Sequence, residues 1–102
     1  MIIKVGAIDV EVLSVPLDGE LFGDFDYLKA RIRVEEELKG PILVDTILHE
    51  LFHAFWKVGQ LKDKKEEEER VVAVMATIMT QVLRDNPHLI SWLKKNLQTP
   101  TS

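Results

Sequence analysis

Apolar and polar positions alternate along the first third of the chain. Ile8, Val10 and Val12 alternate with Asp9, Glu11 and Leu13, the period of a half-buried strand. Gly6 interrupts the run from Ile2 to Val12, which predicts a bulge or tight turn between two short strands. Pro16 to Asp26 carries a proline, two glycines and four acids and reads as a loop. Alternation returns from Lys29 to Glu35, with Ala30, Ile32 and Val34 on one face and Lys29, Arg31, Arg33 and Glu35 on the other. This is a third strand, and its charged outer face suits an exposed edge.

Gly40-Pro41 marks a change of period. Proline is well placed in a first helical turn, where its missing N–H costs nothing. From Ile42 to Val58 the apolar residues run all round a helix, which predicts a buried central helix. Gly59 stands where a left-handed cap belongs. After a short connection, Lys64 opens a second helix that continues to Arg84 or Asp85, and its early glutamates complement the positive end of the helix dipole. Asn86-Pro87 ends it and starts a third helix, His88 to Leu97. Trp56 and Trp92 read as core anchors between helices. The expected fold is α+β: a small, mostly antiparallel three-stranded sheet packed on the central helix, with two further helices. Residues 1–97 form one domain, and the polar tail 98–102 is expected to fray.

Composition narrows the functions this domain can carry. The 102 residues are 46% hydrophobic and 29% charged, a globular composition of single-domain size. A net charge of −4 argues against nucleic acid as a partner, which needs a basic face. The absence of cysteine excludes disulfides, thiolate zinc sites and cysteine nucleophiles. The longest apolar stretch, Ile42 to Val58, is broken by Asp45, His49, Glu50, His53 and Lys57, so no membrane span is expected. The expected compartment is the cytoplasm.

His49-Glu50-Leu51-Phe52-His53 is an H-E-x-x-H sequence. On a helix, residues i and i+4 lie one above the other. Two imidazoles so placed can bind one Zn²⁺ at ~2.0–2.1 Å. Glu50, about 100° round the helix, can reach a zinc-bound water whose pKa is near 7, take its proton and pass it to a leaving amine. The alternative is a pair of hydrogen-bonded packing histidines. Against it stands the apolar helix around them, on which two histidines and a glutamate need partners.

Catalytic zinc takes three protein ligands and one open position. Without cysteine, the third ligand is His88, an Asp or a Glu. In an antiparallel pair of helices, His53 and Glu69 lie equally far from the connecting turn, each five residues from it. Glu68 lies on the adjacent stripe and is a close rival. Glu66 and Glu67 read as a solvated, dipole-complementing cluster. His88 is a candidate transition-state donor or rival ligand, and Tyr27 a candidate oxyanion donor. For both, a role outside the chemistry is the simpler reading, as it is for Arg31 and Arg33 on the presumed edge.

The segment Thr46-Ile47-Leu48-His49-Glu50-Leu51-Phe52-His53-Ala54 resembles the active-site helix of the gluzincin metallopeptidases. Glu69-Arg70-Val71-Val72-Ala73-Val74-Met75-Ala76 is similar to their glutamate helix, and the nearest likeness is to small ImmA/IrrE-type and phage-encoded zincins. The resemblance spans about Ile32 to Trp92. It implies zinc as cofactor, His49, His53 and Glu69 as ligands, Glu50 as general base, and a protein or peptide as substrate. Two features depart from it: Phe52 replaces a small residue, and the spacing from His53 to Glu69 is short. Two other readings stand beside the peptidase: a zinc amidase acting on a small amide, and a regulatory or binding module that keeps zinc as a structural staple.

Overall fold

The computed structural model describes residues 1–19, 21–61 and 68–100, with the backbone alone at 68, 69, 72 and 73. Four strands, β1 (Ile2–Val5), β2 (Ile8–Val15), β3 (Gly23–Asp26) and β4 (Arg31–Glu35), precede three helices, α1 (Gly40–Val58), α2 (Glu68–Asp85) and α3 (Pro87–Leu97). The α+β class agrees with the sequence. The sheet does not: it has four strands in the order β1-β2-β4-β3 and is mixed.

β1 and β2 form the expected hairpin, with Ile3 opposite Val10 and Val5 opposite Ile8. Gly6 takes φ +58° in the turn, a conformation glycine adopts without steric cost. The segment expected to be a loop contains β3, which pairs antiparallel with β4 through Phe25 opposite Ile32. β4 then runs parallel to β2, with Val12 opposite Ile32. β4 is therefore an inner strand, and β3 holds the edge. The charged residues of β4 fit there because β3 answers them: Asp24 lies opposite Arg33 and Asp26 opposite Arg31. Cross-strand pairs of opposite charge stabilise a sheet face, so charge alternation does not by itself mark an edge.

One face of the sheet is dry. Ile3, Val5, Val10, Ile32 and Val34 are buried there against Ile47, Leu51, Ala54 and Phe55 of α1, with Val82 of α2 and Leu89 of α3 closing the core. Full burial of such side chains contributes about 1.5–3 kcal/mol each. α1 lies over β3 and β4, α2 against β1, and α3 against α1.

α1 is not buried all round. Ile47, Glu50, Leu51, Ala54 and Phe55 face inward, whereas Ile42, Asp45, His49, Phe52 and His53 are exposed. Pro41 does sit in its first turn. Its end differs by one residue from expectation. Gly59 keeps right-handed angles (φ −76°), and Gln60 takes the left-handed position at φ +53°. The Leu61 N–H donates to Trp56 O at 3.1 Å and the Gln60 N–H to Lys57 O at 3.1 Å, the bond pair of a Schellman cap. Gly59 serves packing instead: a Cβ there would lie 2.7 Å from Val74 Cγ1. Trp92 packs on the core as expected. Trp56 does not; it is half-buried and lines clefts beside the histidines.

α2 ends at Asp85, and the predicted start at Lys64 lies outside the described residues. α3 begins one residue earlier than expected, on Pro87. Thr99 and Pro100 do not run free: their backbone lies against Gly40, where an added Cβ would meet Thr99 O at 2.5 Å. Among the described residues, no helix is long and apolar enough to cross a membrane.

Candidate functional site

The exposed face of α1 carries the histidines one turn apart, and its period brings the rings together. The two Nε2 atoms are 3.3 Å apart, with ring centroids at 4.9 Å and planes at 73°. Two nitrogens bound to one tetrahedral zinc at ~2.0–2.1 Å stand about 3.3–3.4 Å apart. The observed separation equals the edge of a zinc tetrahedron, and it is also that of a hydrogen bond between the two rings. Both rings are exposed to solvent, so an ion can reach them. The donor set fits zinc, for which imidazole is a preferred ligand.

Glu50 projects from the neighbouring position of the same helix and is only 8% exposed. Burial pushes its carboxyl above the ordinary carboxylate value; the nearby His49 and His53 oppose that shift and Asp24 adds to it. A carboxylate raised toward neutrality is better matched to taking and returning protons near neutral pH.

The third wall is β3. At Gly23 the strand approaches α1 so closely that a Cβ would meet Thr46 Cγ2 at 3.0 Å, and it would also meet Arg33 O of β4 at 2.9 Å. Two clefts between β3 and α1 result. One of about 230 Å³ is lined by Gly23, Thr46, His49 and Glu50, and one of about 380 Å³ by Gly23, Asp24, Phe25, Glu50, His53 and Trp56. On the other side of the histidines, Phe52, Trp56 and Met75 line an apolar cavity of about 400 Å³. Glu50 and both histidines thus open onto a sheet edge.

His49 and Glu50 line one cleft, and Glu50 and His53 line the other. The side chains of Glu69 and of its rival Glu68 lie outside the described residues, as do Glu66 and Glu67. Among the described residues, no group of three His, Asp or Glu side chains is placed to hold a metal. His88 is not part of the site: its Nε2 lies 2.8 Å from Ile2 O on β1, at the sheet edge opposite β3. Tyr27 is exposed in the turn after β3, edge-on to Phe25 with centroids 6.4 Å apart, and borders neither cleft that Glu50 lines. Arg33 is no free surface cation, since its Nε donates to Asp24 Oδ1 at 3.0 Å and its Nη2 pairs with Oδ2.

Sequence reasoning missed Gly23, Asp24 and Phe25 as a wall of the site. The available signal was the Asp24-Phe25-Asp26 alternation facing Arg31-Ile32-Arg33 across a four-residue turn. Compared with known proteins, the chain matches no family model, no curated protein and no solved structure.

Proposed function

We propose that the protein is a zinc-dependent metallopeptidase, with His49, His53 and Glu69 as ligands and Glu50 as general base and acid. The observation that carries this reading is the Nε2–Nε2 separation of 3.3 Å beside a buried carboxylate. A zinc ion held there supplies a Lewis acid that polarises a carbonyl and brings the pKa of water to near 7. Glu50 takes a proton from the attacking water and delivers it to the departing amine nitrogen as the C–N bond breaks. β3 offers a terminal strand on which an extended peptide can add by main-chain hydrogen bonds, and its Gly23 lines both clefts that Glu50 lines. That edge favours a peptide over a small amide. The solvent exposure of both histidines favours a site with an open position over a closed structural staple.

The test is a zinc titration and a cleavage assay on unfolded proteins and peptides. One zinc per chain should bind, and His49→Ala or His53→Ala should abolish it. Glu50→Gln should keep the zinc and lower turnover by about 10²–10⁴-fold. Undiminished proteolysis in Glu50→Gln would sink the mechanism, and zinc binding unaffected by either histidine substitution would sink the site.

A further inference from the structure

Beyond the cleft that Glu50 lines, the far end of β3 opens into a polar pocket of about 650 Å³. Its charged lining is Lys29, Arg31, Arg33 and Lys57 against Asp24 and Asp26, a surplus of two positive charges on a chain whose net charge is −4. The two carboxylates are already engaged. Asp24 is paired with Arg33, which holds its carboxyl below the ordinary value. Asp26 accepts the Lys29 backbone N–H at 3.2 Å and stands opposite Arg31 in the β3–β4 register. Among the described residues, the side chains of Lys29 and Lys57 make no ion pair within 4.0 Å and no hydrogen bond. Unpaired cations around a concave site raise the local concentration of anions and select against cationic ligands.

Asp24, Phe25 and Lys57 line both this pocket and the cleft beside the base. A peptide added along β3 advances about 3.3 Å per residue. A residue level with Gly23 lies beside the clefts that Glu50 lines, and those two and three positions further lie level with Phe25 and with Asp26, next to the turn that carries Lys29. We propose that this pocket binds a carboxylate of the extended substrate, so that the protein selects peptides carrying Asp or Glu two or three residues to one side of the cleaved bond. The proposal rests on the peptidase reading for its placement along the strand.

The experiment measures binding and cleavage separately. Zinc-loaded Glu50→Gln protein is titrated with amidated peptides of one sequence in which a single Glu or Gln is moved along the chain. Binding is read from Trp fluorescence or anisotropy. The Glu peptide should bind about tenfold tighter than its Gln twin at one or two adjacent positions only. The difference should shrink in about 0.5 M salt and in the double variant Lys29→Gln, Lys57→Gln, whose two lysines are exposed and whose melting temperature should match that of the parent. A free-acid peptide ending at the preferred position distinguishes a side-chain carboxylate from a chain end. Equal binding of Glu and Gln peptides at every position, or a preference that survives the double variant, would overturn the pocket. Cleavage by the wild-type protein without a Glu preference would remove the pocket and leave the peptidase standing. A Glu preference in binding, with no peptide cleaved, would keep the pocket and remove the peptidase.

Discussion

Asn86 holds Lys4 by both of its backbone groups: the Lys4 N–H donates to Asn86 Oδ1 at 2.9 Å, and Asn86 Nδ2 donates to Lys4 O at 3.1 Å. The same Nδ2 donates to Val82 O at 2.7 Å, and the residue is fully buried. The side chain acts as one more rung of ladder beside β1, binding that strand to the junction of α2 and α3. The sequence shows Asn86 only as the residue before a helix-breaking proline. Its partner is Lys4 at the other end of the chain, and no local pattern reports that.

Removing this clasp leaves the Lys4 N–H without its partner, at about 1–3 kcal/mol, while Lys4 O keeps the bond from Gln81 Nε2 at 3.0 Å. Asn86→Ala should therefore cost about 1–3 kcal/mol, lowering the melting temperature by about 5–20 °C. Asn86→Asp keeps an acceptor for Lys4 N–H, but it sets a carboxylate against two carbonyl oxygens and should do no better at neutral pH. Urea unfolding of the two variants checks both; a loss below about 0.5 kcal/mol, the level of an ordinary surface change, would show that the clasp is idle.

Glu35 ties down the segment that leads into β3. Its Oε1 accepts from Leu17 N–H at 2.8 Å and its Oε2 from Glu37 N–H at 2.9 Å. These bonds, the one from Leu17 first, hold its carboxyl below the ordinary value of 4.5. A carboxyl depressed in the folded state contributes stability above its unfolded value and loses it as pH falls through the folded one. Wild-type protein should lose thermal stability as pH drops below about 4.5 more steeply than Glu35→Gln, while the variant melts lower at neutral pH. Parallel melting curves across that range would show that Glu35 contributes nothing to the acid limb.

The part of the site legible in the sequence is the part a single helix dictates. His49, Glu50 and His53 follow from a local period, and α1 folds as that period requires. β3 was not legible because its stability is borrowed. Phe25 is its only large apolar residue, and Asp24 and Asp26 read as loop residues until Arg33 and Arg31 are placed across from them. The same pairing moved β4 from edge to interior. Hydrophobicity alone places Trp56 in the core, but the helix turns it toward the clefts beside His53. A glycine at a helix end predicts a left-handed cap, whereas Val74 lies too close to Gly59 for any side chain and Gln60 takes the left-handed angles.

The preformed imidazole pair should make stability depend on zinc. A metal that binds only the folded state stabilises it by RT ln(1 + [L]/Kd), about 2.7 kcal/mol when free zinc is 100-fold above Kd. For a domain of this size the melting temperature should rise by about 10–20 °C. His49→Ala and His53→Ala should each remove most of that rise. Comparing Glu69→Ala with Glu68→Ala identifies the third ligand: the one whose loss weakens zinc binding holds the metal. A melt indifferent to zinc, in protein verified to be metal-free beforehand, would count against the site.

Glu50 should weaken the metal-free fold. Its carboxyl is raised above 4.5 chiefly by burial, with the two imidazoles opposing. An acid raised in the folded state is more at ease protonated. Its stabilising protonated form is fully present below the unfolded value, and that stability is lost as pH rises through the folded value. In metal-free protein, Glu50→Gln should therefore melt higher than wild type at neutral pH, because a neutral amide loses less on burial than a carboxylate. The gap should narrow as pH falls toward about 4. Melting curves of the two chelated proteins across that range test the sign directly. A Glu50→Gln protein less stable than wild type at neutral pH would mean that the carboxylate is held by favourable interactions in the cleft, and that the cost assigned to its burial is wrong.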